Sequence, residues 1–113
     1  MAKLRLRVDL DAEGAVGPGK IALLERIDRL GSISAAGREM RMSYRRAWEL
    51  VDNINHCFGE PAVSTQLGGA SGGGASLTPF GRQLVKHFRA MEKKAQKAAA
   101  SHLEMLQSAC AKP

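Results

Sequence analysis

The chain has 113 residues, enough for one domain with a modest core and an extension. With 44% hydrophobic and 25% charged residues it is a folding sequence, which excludes the disordered class. Lys+Arg 17 against Asp+Glu 11 leave a net charge of +6, which favours a polyanionic partner.

Residues 3–10, KLRLRVDL, alternate strictly. Leu4, Leu6, Val8 and Leu10 share one face and Lys3, Arg5, Arg7 and Asp9 the other, the pattern of a half-buried strand. Its basic face fits a solvated edge, and also a phosphate contact. No apolar run reaches the length of a membrane span, and the basic alternation is wrong for a signal peptide, so a cytoplasmic protein is expected. Residues 11–19 carry three glycines and a proline and read as a turn-rich connection. A first helix is predicted from about Pro18 to Leu30, with Leu23, Leu24, Ile27 and Leu30 inward and Gly31 ending it.

The stretch from Gly31 to Phe58 reads as two helices joined by a tight turn. Ser32 and Ser34 are candidate N-caps for the first, because a serine oxygen accepts the free amides of a first turn. Ile33, Ala36 and Met40 form its apolar stripe. Ser43 caps the second. Stepping about 100° per residue from Ala47 places Tyr44, Leu50, Val51, Ile54 and Phe58 within about 60° of it. Arg45, Arg46, Glu49, Asp52, Asn53 and His56 stand opposite. In a helix-turn-helix the first residues of the second helix meet base edges in the major groove. Arginine suits guanine O6 and N7, or phosphate. Glu49 and Asp52 repel phosphate unless one accepts from cytosine N4. An ordinary amphipathic helix competes with this reading; two caps, a short small-residue helix and paired arginines favour DNA.

Gly59 and Pro61 stop that helix. AVSTQL (62–67) reads as a strand, residues 68–76 as a mobile glycine loop, and Leu77 with Thr78 as a short return strand, together a wing. From Pro61 to Gly81 there is no charged residue, so wing contacts would rest on amides and hydroxyls such as Ser71 and Ser76. A plain hairpin tip is the other reading. No Gly-Lys-Ser/Thr follows, which rules against a nucleotide loop.

Thr78 caps a last helix with Pro79 at its first position. Its apolar positions from Leu84 to Ala109 hold a sector of about 140° over a length of about 45 Å. A three-helix bundle is too small to cover that stripe, and the simplest partner is a second copy. Leu84, Phe88, Met91, Ala95, Ala98, Leu103 and Leu106 are the expected dimer interface. The boundary is set at residue 78, with DNA binding before it and dimerisation in 79–113. Arg82, Lys86, Arg89, Lys93, Lys94 and Lys97 stud the opposite side.

Other chemistry is thinly represented. His56 and Cys57 are adjacent and diverge on a helix, and His102 and Cys110 form a poor pair. Two cysteines make no disulfide framework, though Cys110 could meet its mate across a dimer. No catalytic spacing or cofactor loop stands out. Neither an enzyme, a cofactor nor a metal is expected.

From about Leu4 to Lys97 the sequence resembles the N-terminal DNA-binding domain of ModE-type molybdate-responsive regulators. More distantly it is similar to the winged domains of LysR-type regulators. GSISAAGREM, MSYRRAWELVDNIN and GGASGGGASLTPFGRQL carry the resemblance. It implies a mostly α fold with a small β-sheet: a winged helix-turn-helix with an N-terminal strand, a two-stranded wing and a long C-terminal dimerisation helix. It further implies a homodimer on palindromic double-stranded promoter DNA. By analogy Ser43, Tyr44, Arg45 and Arg46 face the groove, with Ser32, Ser34 and Glu49 beside them. Ser71, Gly72, Gly73 and Gly74 of the wing meet the flanking backbone, and Trp48 belongs to packing. Three departures stand out. ModE proteins continue into molybdate-binding modules and this sequence ends at Pro113, so no small-molecule effector is expected within it. Arg41 replaces the usual turn glycine, a cost of about 1 kcal/mol if its backbone is left-handed. The family's basic wing residue is missing. The expected function is sequence-specific transcription regulation, tied to molybdenum or another metal-oxyanion supply. The alternatives are a module that heterodimerises with a longer relative, and non-specific architectural binding.

Overall fold

The computed structural model describes residues 1–11, 14–66 and 74–111. Its core is built on α1 (Pro18–Leu30), whose Ile21, Leu23, Leu24 and Ile27 are fully buried. Pro18 opens the helix where its missing N–H is no loss. Gly31 closes it at φ 70°, its amide donating to the Ile27 carbonyl at 2.8 Å. Leu30, expected inward, is exposed at the last turn, beyond the reach of the bundle.

Ser32 caps α2 (Ile33–Glu39), its Oγ accepting from the Ala35 amide at 3.0 Å. Ser34 is not a cap; it lies inside the first turn and accepts from Arg38 Nη1 at 3.3 Å. Ser43 caps α3 (Tyr44–Cys57), accepting from the Arg46 amide at 3.1 Å. Between the two helices Arg41 has φ 58°, left-handed as the family's glycine implied. The Met42 amide returns to the Gly37 carbonyl at 3.0 Å and closes the turn. Gly37 lets the helices cross closely, since a Cβ there would come within 2.9 Å of Ala47 Cβ.

The first ten residues alternate outward and inward as expected, with Leu6, Val8 and Leu10 against the core. Only β1 (Val8–Asp9) enters a ladder, pairing antiparallel with β2 (Ala15–Val16). The strand over 3–10 is thus corrected: its first half runs along the last long helix. There the Leu4 amide donates to Gln96 Oε1 at 3.0 Å, and Gln96 Nε2 donates to the Ala2 carbonyl at 3.4 Å.

A second antiparallel pair, β3 (Val63–Gln66) and β4 (Gly74–Leu77), follows α3 with Val63 opposite Leu77. The return strand therefore takes Gly74, Ala75 and Ser76, expected in the loop, and stops before Thr78. Glycine weakens a strand without forbidding it. Asn55 ties this hairpin to α3. Its Oδ1 accepts the Ala62 and Val63 amides at 2.9 and 3.0 Å, and its Nδ2 donates to the Val63 carbonyl at 3.1 Å.

Thr78 caps α4 (Pro79–Ala98), and α5 (Ala100–Ser108) continues it. The expected single helix breaks at Ala99, φ −94° and ψ 3°, although amides of Ala99 and Leu103 still bond back to Ala95 and Ala99 at 2.9 Å. Phe88, assigned above to the dimer, is 1% exposed in the chain's own core, and Leu84 packs against the same cluster. The stripe nearest Thr78 is thus covered from within. Two cations from the helix's opposite side are also occupied here. Arg89 binds Glu25 and Glu92 at 2.5 and 2.7 Å, which raises its pKa above the ordinary guanidinium value, and Arg82 reaches Asp28 at 3.6 Å. The beginning of α4 is clamped to α1; α5 buries nothing. Among the described residues no helix is long and apolar enough to cross a membrane.

Candidate nucleic-acid interface

The first turn of α3 is held from below and open above. Ala47, Val51 and Ile54 anchor the helix in the core, while the Arg45 side chain is 90% exposed and the Arg46 side chain 59%. Glu49 lies one turn on and contacts both. Arg45 Nε donates to it at 3.1 Å, and Arg46 Nη1 lies 3.7 Å away. Three of the residues read as groove-facing thus form one exposed Arg–Glu–Arg cluster. Exposed pairs of this kind are worth only about 0–1 kcal/mol, so a competing anion or base edge displaces them easily.

Tyr44 departs from the angular reading. It was placed on the core side, yet it is 61% exposed. Angle alone fixes direction; the first turn projects past the elements that would have covered the ring. Trp48, expected mainly in packing at the helix flank, is 37% exposed and edge-on to Tyr44 at 6.1 Å. The two rings form an aromatic flank beside the arginines.

The remaining expected contacts divide. Ser32 and Ser34 are half-buried, with hydroxyls engaged inside α2. Ser43 is exposed with its oxygen spent on the cap. Gly74 is a half-buried strand residue opposite Gln66, and a Cβ on it would come within 3.2 Å of the Gly31 carbonyl. Its bareness serves the junction with α1. Ser71, Gly72 and Gly73 lie outside the described residues.

On its other flank α3 faces a cleft that the sequence did not disclose. Its walls are the starts of β2 and α1 and the exposed side of α3, and it encloses about 690 Å³. Among the described residues Arg7, Lys20 and Arg46 line it against a single carboxylate, Glu49. Lys20 Nζ bridges the walls, donating to the Ala15 carbonyl at 2.7 Å and to Asn53 Oδ1 at 2.5 Å. The available signal was faint: a lysine directly after Gly17-Pro18-Gly19 at a helix start. As for metals, His56 is exposed and Cys57 buried. No group of three or more His, Cys, Asp or Glu able to hold an ion occurs among the described residues.

A short helix crossing closely over a second, whose open first turn carries arginines, followed by a two-stranded hairpin, is a winged helix-turn-helix arrangement. Comparison with known proteins then places the chain. It is 40% identical over 94 residues to the molybdenum transport protein ModE of Azotobacter vinelandii, covering 83% of this chain and 35% of that protein. It is 45% identical over 86 residues to the molybdenum-pterin-binding protein MopB of Rhodobacter capsulatus, 75% of this chain and 32% of that one. Against the DNA-binding transcriptional dual regulator ModE of Escherichia coli K12 the figures are 32% over 97 residues, 86% and 37%. No protein-family profile matches. The chain spans about a third of the length of these relatives, and over most of its own length it is a ModE-like domain.

Proposed function

We propose that the chain is a DNA-binding transcription regulator that recognises a specific duplex sequence as a homodimer and acts on genes of molybdenum or related oxyanion supply. The observation that carries this reading is the open first turn of α3. Arg45 and Arg46 stand on a Ser43-capped turn whose other side is locked in the core, where a helix-turn-helix exposes its base-reading residues. The relatives named as transcriptional regulators support it, and the names ModE and MopB supply the link to molybdenum. Two copies would insert α3 into successive major grooves, with half-sites about 34 Å apart or a multiple of that. Catalysis has no part in the reading.

Selection of bound duplexes from a random pool, followed by titration of alanine variants, tests it. Arg45→Ala and Arg46→Ala should each weaken binding to the selected duplex by about 1–3 kcal/mol, with a smaller loss on random duplex. Equal losses on both would remove base reading and leave phosphate contact. No enrichment of any sequence, or no binding at modest ionic strength, would overturn the proposal.

A further inference from the structure

The stretch from Pro61 to Gly81, which contains the hairpin, carries no charged residue, so the hairpin itself offers DNA no Coulombic hold. On the other side of α3 the cleft described above gathers three cations: Arg7 from the segment just before β1, Lys20 from α1 and Arg46 from α3. Among the described lining residues Glu49 is the single carboxylate, and it is engaged by Arg45 and Arg46. Arg7 pairs with Asp9 at 2.9 Å, but both side chains are more than two-thirds exposed, so the pair exchanges readily with other anions.

Lys20 is the better-organised group. An ammonium has three donors. The Ala15 carbonyl and Asn53 take two, fixing the nitrogen at the cleft wall with one proton left among its described partners. Asn53 is itself on the exposed side of α3, about two turns along from the arginines, so this ammonium is positioned by the helix proposed to enter the groove. The first turn of α1 lies in the same cleft with no side-chain cap, and its partial positive charge adds to the three formal ones.

We propose that this cleft receives backbone phosphate of the bound duplex, on the flank of α3 away from the hairpin, through Arg7 and Lys20, beside the base-reading Arg46. The inference rests on the DNA-binding reading and assigns its salt-dependent part. Its occupant is a duplex backbone and not a free anion, because the cleft is a wide, open trough continuous with the first turn of α3.

Salt dependence separates this from base reading. Each phosphate neutralised contributes about one unit to the slope of log K against log salt. Arg7→Gln and Lys20→Gln should each lower that slope by about one, weakening selected and random duplexes equally, while Arg7→Lys and the distant Lys94→Gln keep the slope near that of the parent chain. If the parent chain binds duplex and neither glutamine variant changes its slope, the cleft is not used and the wider proposal survives. A loss confined to the selected duplex would make these residues base readers and overturn the phosphate assignment. If the parent chain binds no duplex, both proposals fall. Should Lys20→Gln lose its fold by circular dichroism, the exposed Arg7 pair of variants decides alone.

Discussion

Glu49 is the residue with most control over what the arginines do. In the free protein its carboxylate satisfies Arg45 and Arg46 together. Against a phosphate the same carboxylate is a like charge, worth about 1 kcal/mol at contact in water. Against cytosine N4 it is an acceptor. In the proposed complex it would penalise sequences that offer it nothing, which is how a repulsive element generates specificity. Glu49→Gln should raise affinity for random duplex about three- to tenfold at low salt, while affinity for the selected duplex stays level or falls. An unchanged ratio between the two duplexes would show that Glu49 takes no part in discrimination. Arg41 presents a purely structural case. Its φ of 58° strains a side-chain-bearing residue by about 1–2 kcal/mol, part of which glycine returns as unfolded-chain entropy. Arg41→Gly is expected to raise the unfolding free energy by up to about 1 kcal/mol in urea denaturation, and Arg41→Val to lower it by more than that.

At the scale of the element, periodicity carried the helices and missed what holds the strands. The α1, α2 and α3 boundaries were legible because Pro18, Gly31, Ser32 and Ser43 are local signals that act within one turn. The 3–10 alternation was legible as a face, but not as a ladder. Whether an extended segment pairs depends on what lies beside it, and here Gln96, ninety-two residues away, takes the Leu4 amide. β2 is two residues long and leaves no pattern to find. The cleft was hidden for the same reason: Arg7, Lys20 and Arg46 become neighbours only once β2 and α1 fold against α3. Asn55 belongs in this company. It sits on α3 with nothing in its sequence context to mark it, yet it closes the hairpin on the bundle with three hydrogen bonds. Asn55→Ala would strand the amides of Ala62 and Val63, both buried residues. Each orphaned buried group costs about 1–3 kcal/mol. The variant should lose about 2–4 kcal/mol of stability, read from the denaturation midpoint, and Asn55→Asp, which keeps the acceptor for both amides but loses the donor to the Val63 carbonyl, should lose less at a pH low enough to protonate the new carboxyl. Equal losses from the two would put the cost in packing instead of in the bonds.

For the molecule as a whole, the unsettled account is that of the far end. α4 and α5 together extend the chain to 56 Å along its longest axis, against 33 and 22 Å across. Leu84 and Phe88 are satisfied internally, so the apolar stripe left for a partner is shorter than the sequence implied and lies further out. Met91 is 43%, Met105 61% and Leu106 60% exposed, with Ala98 exposed and Ala95 and Leu103 half-buried beside them. The nine residues of α5 bury no side chain and are held helical only as the continuation of α4. Covering each large apolar side chain is worth about 1.5–3 kcal/mol, so pairing two copies along this end would stabilise the helix it buries. Helix and dimer should then be lost together. Leu106→Asp, and more strongly Leu103→Asp with Leu106→Asp, should shift light scattering to the monomer mass at micromolar concentration. The far-ultraviolet helical signal should fall in parallel, while near-ultraviolet signals from Trp48, on α3, stay unchanged. Binding to a two-half-site duplex should drop by well over tenfold and binding to a single half-site hardly at all, because linked half-sites gain through effective concentration and isolated ones do not. A charged variant that remained dimeric with full helix content would place the homodimer contact elsewhere. A monomeric parent chain with intact two-site binding would remove the homodimer from the proposal and leave the arginine-bearing turn of α3 to act alone.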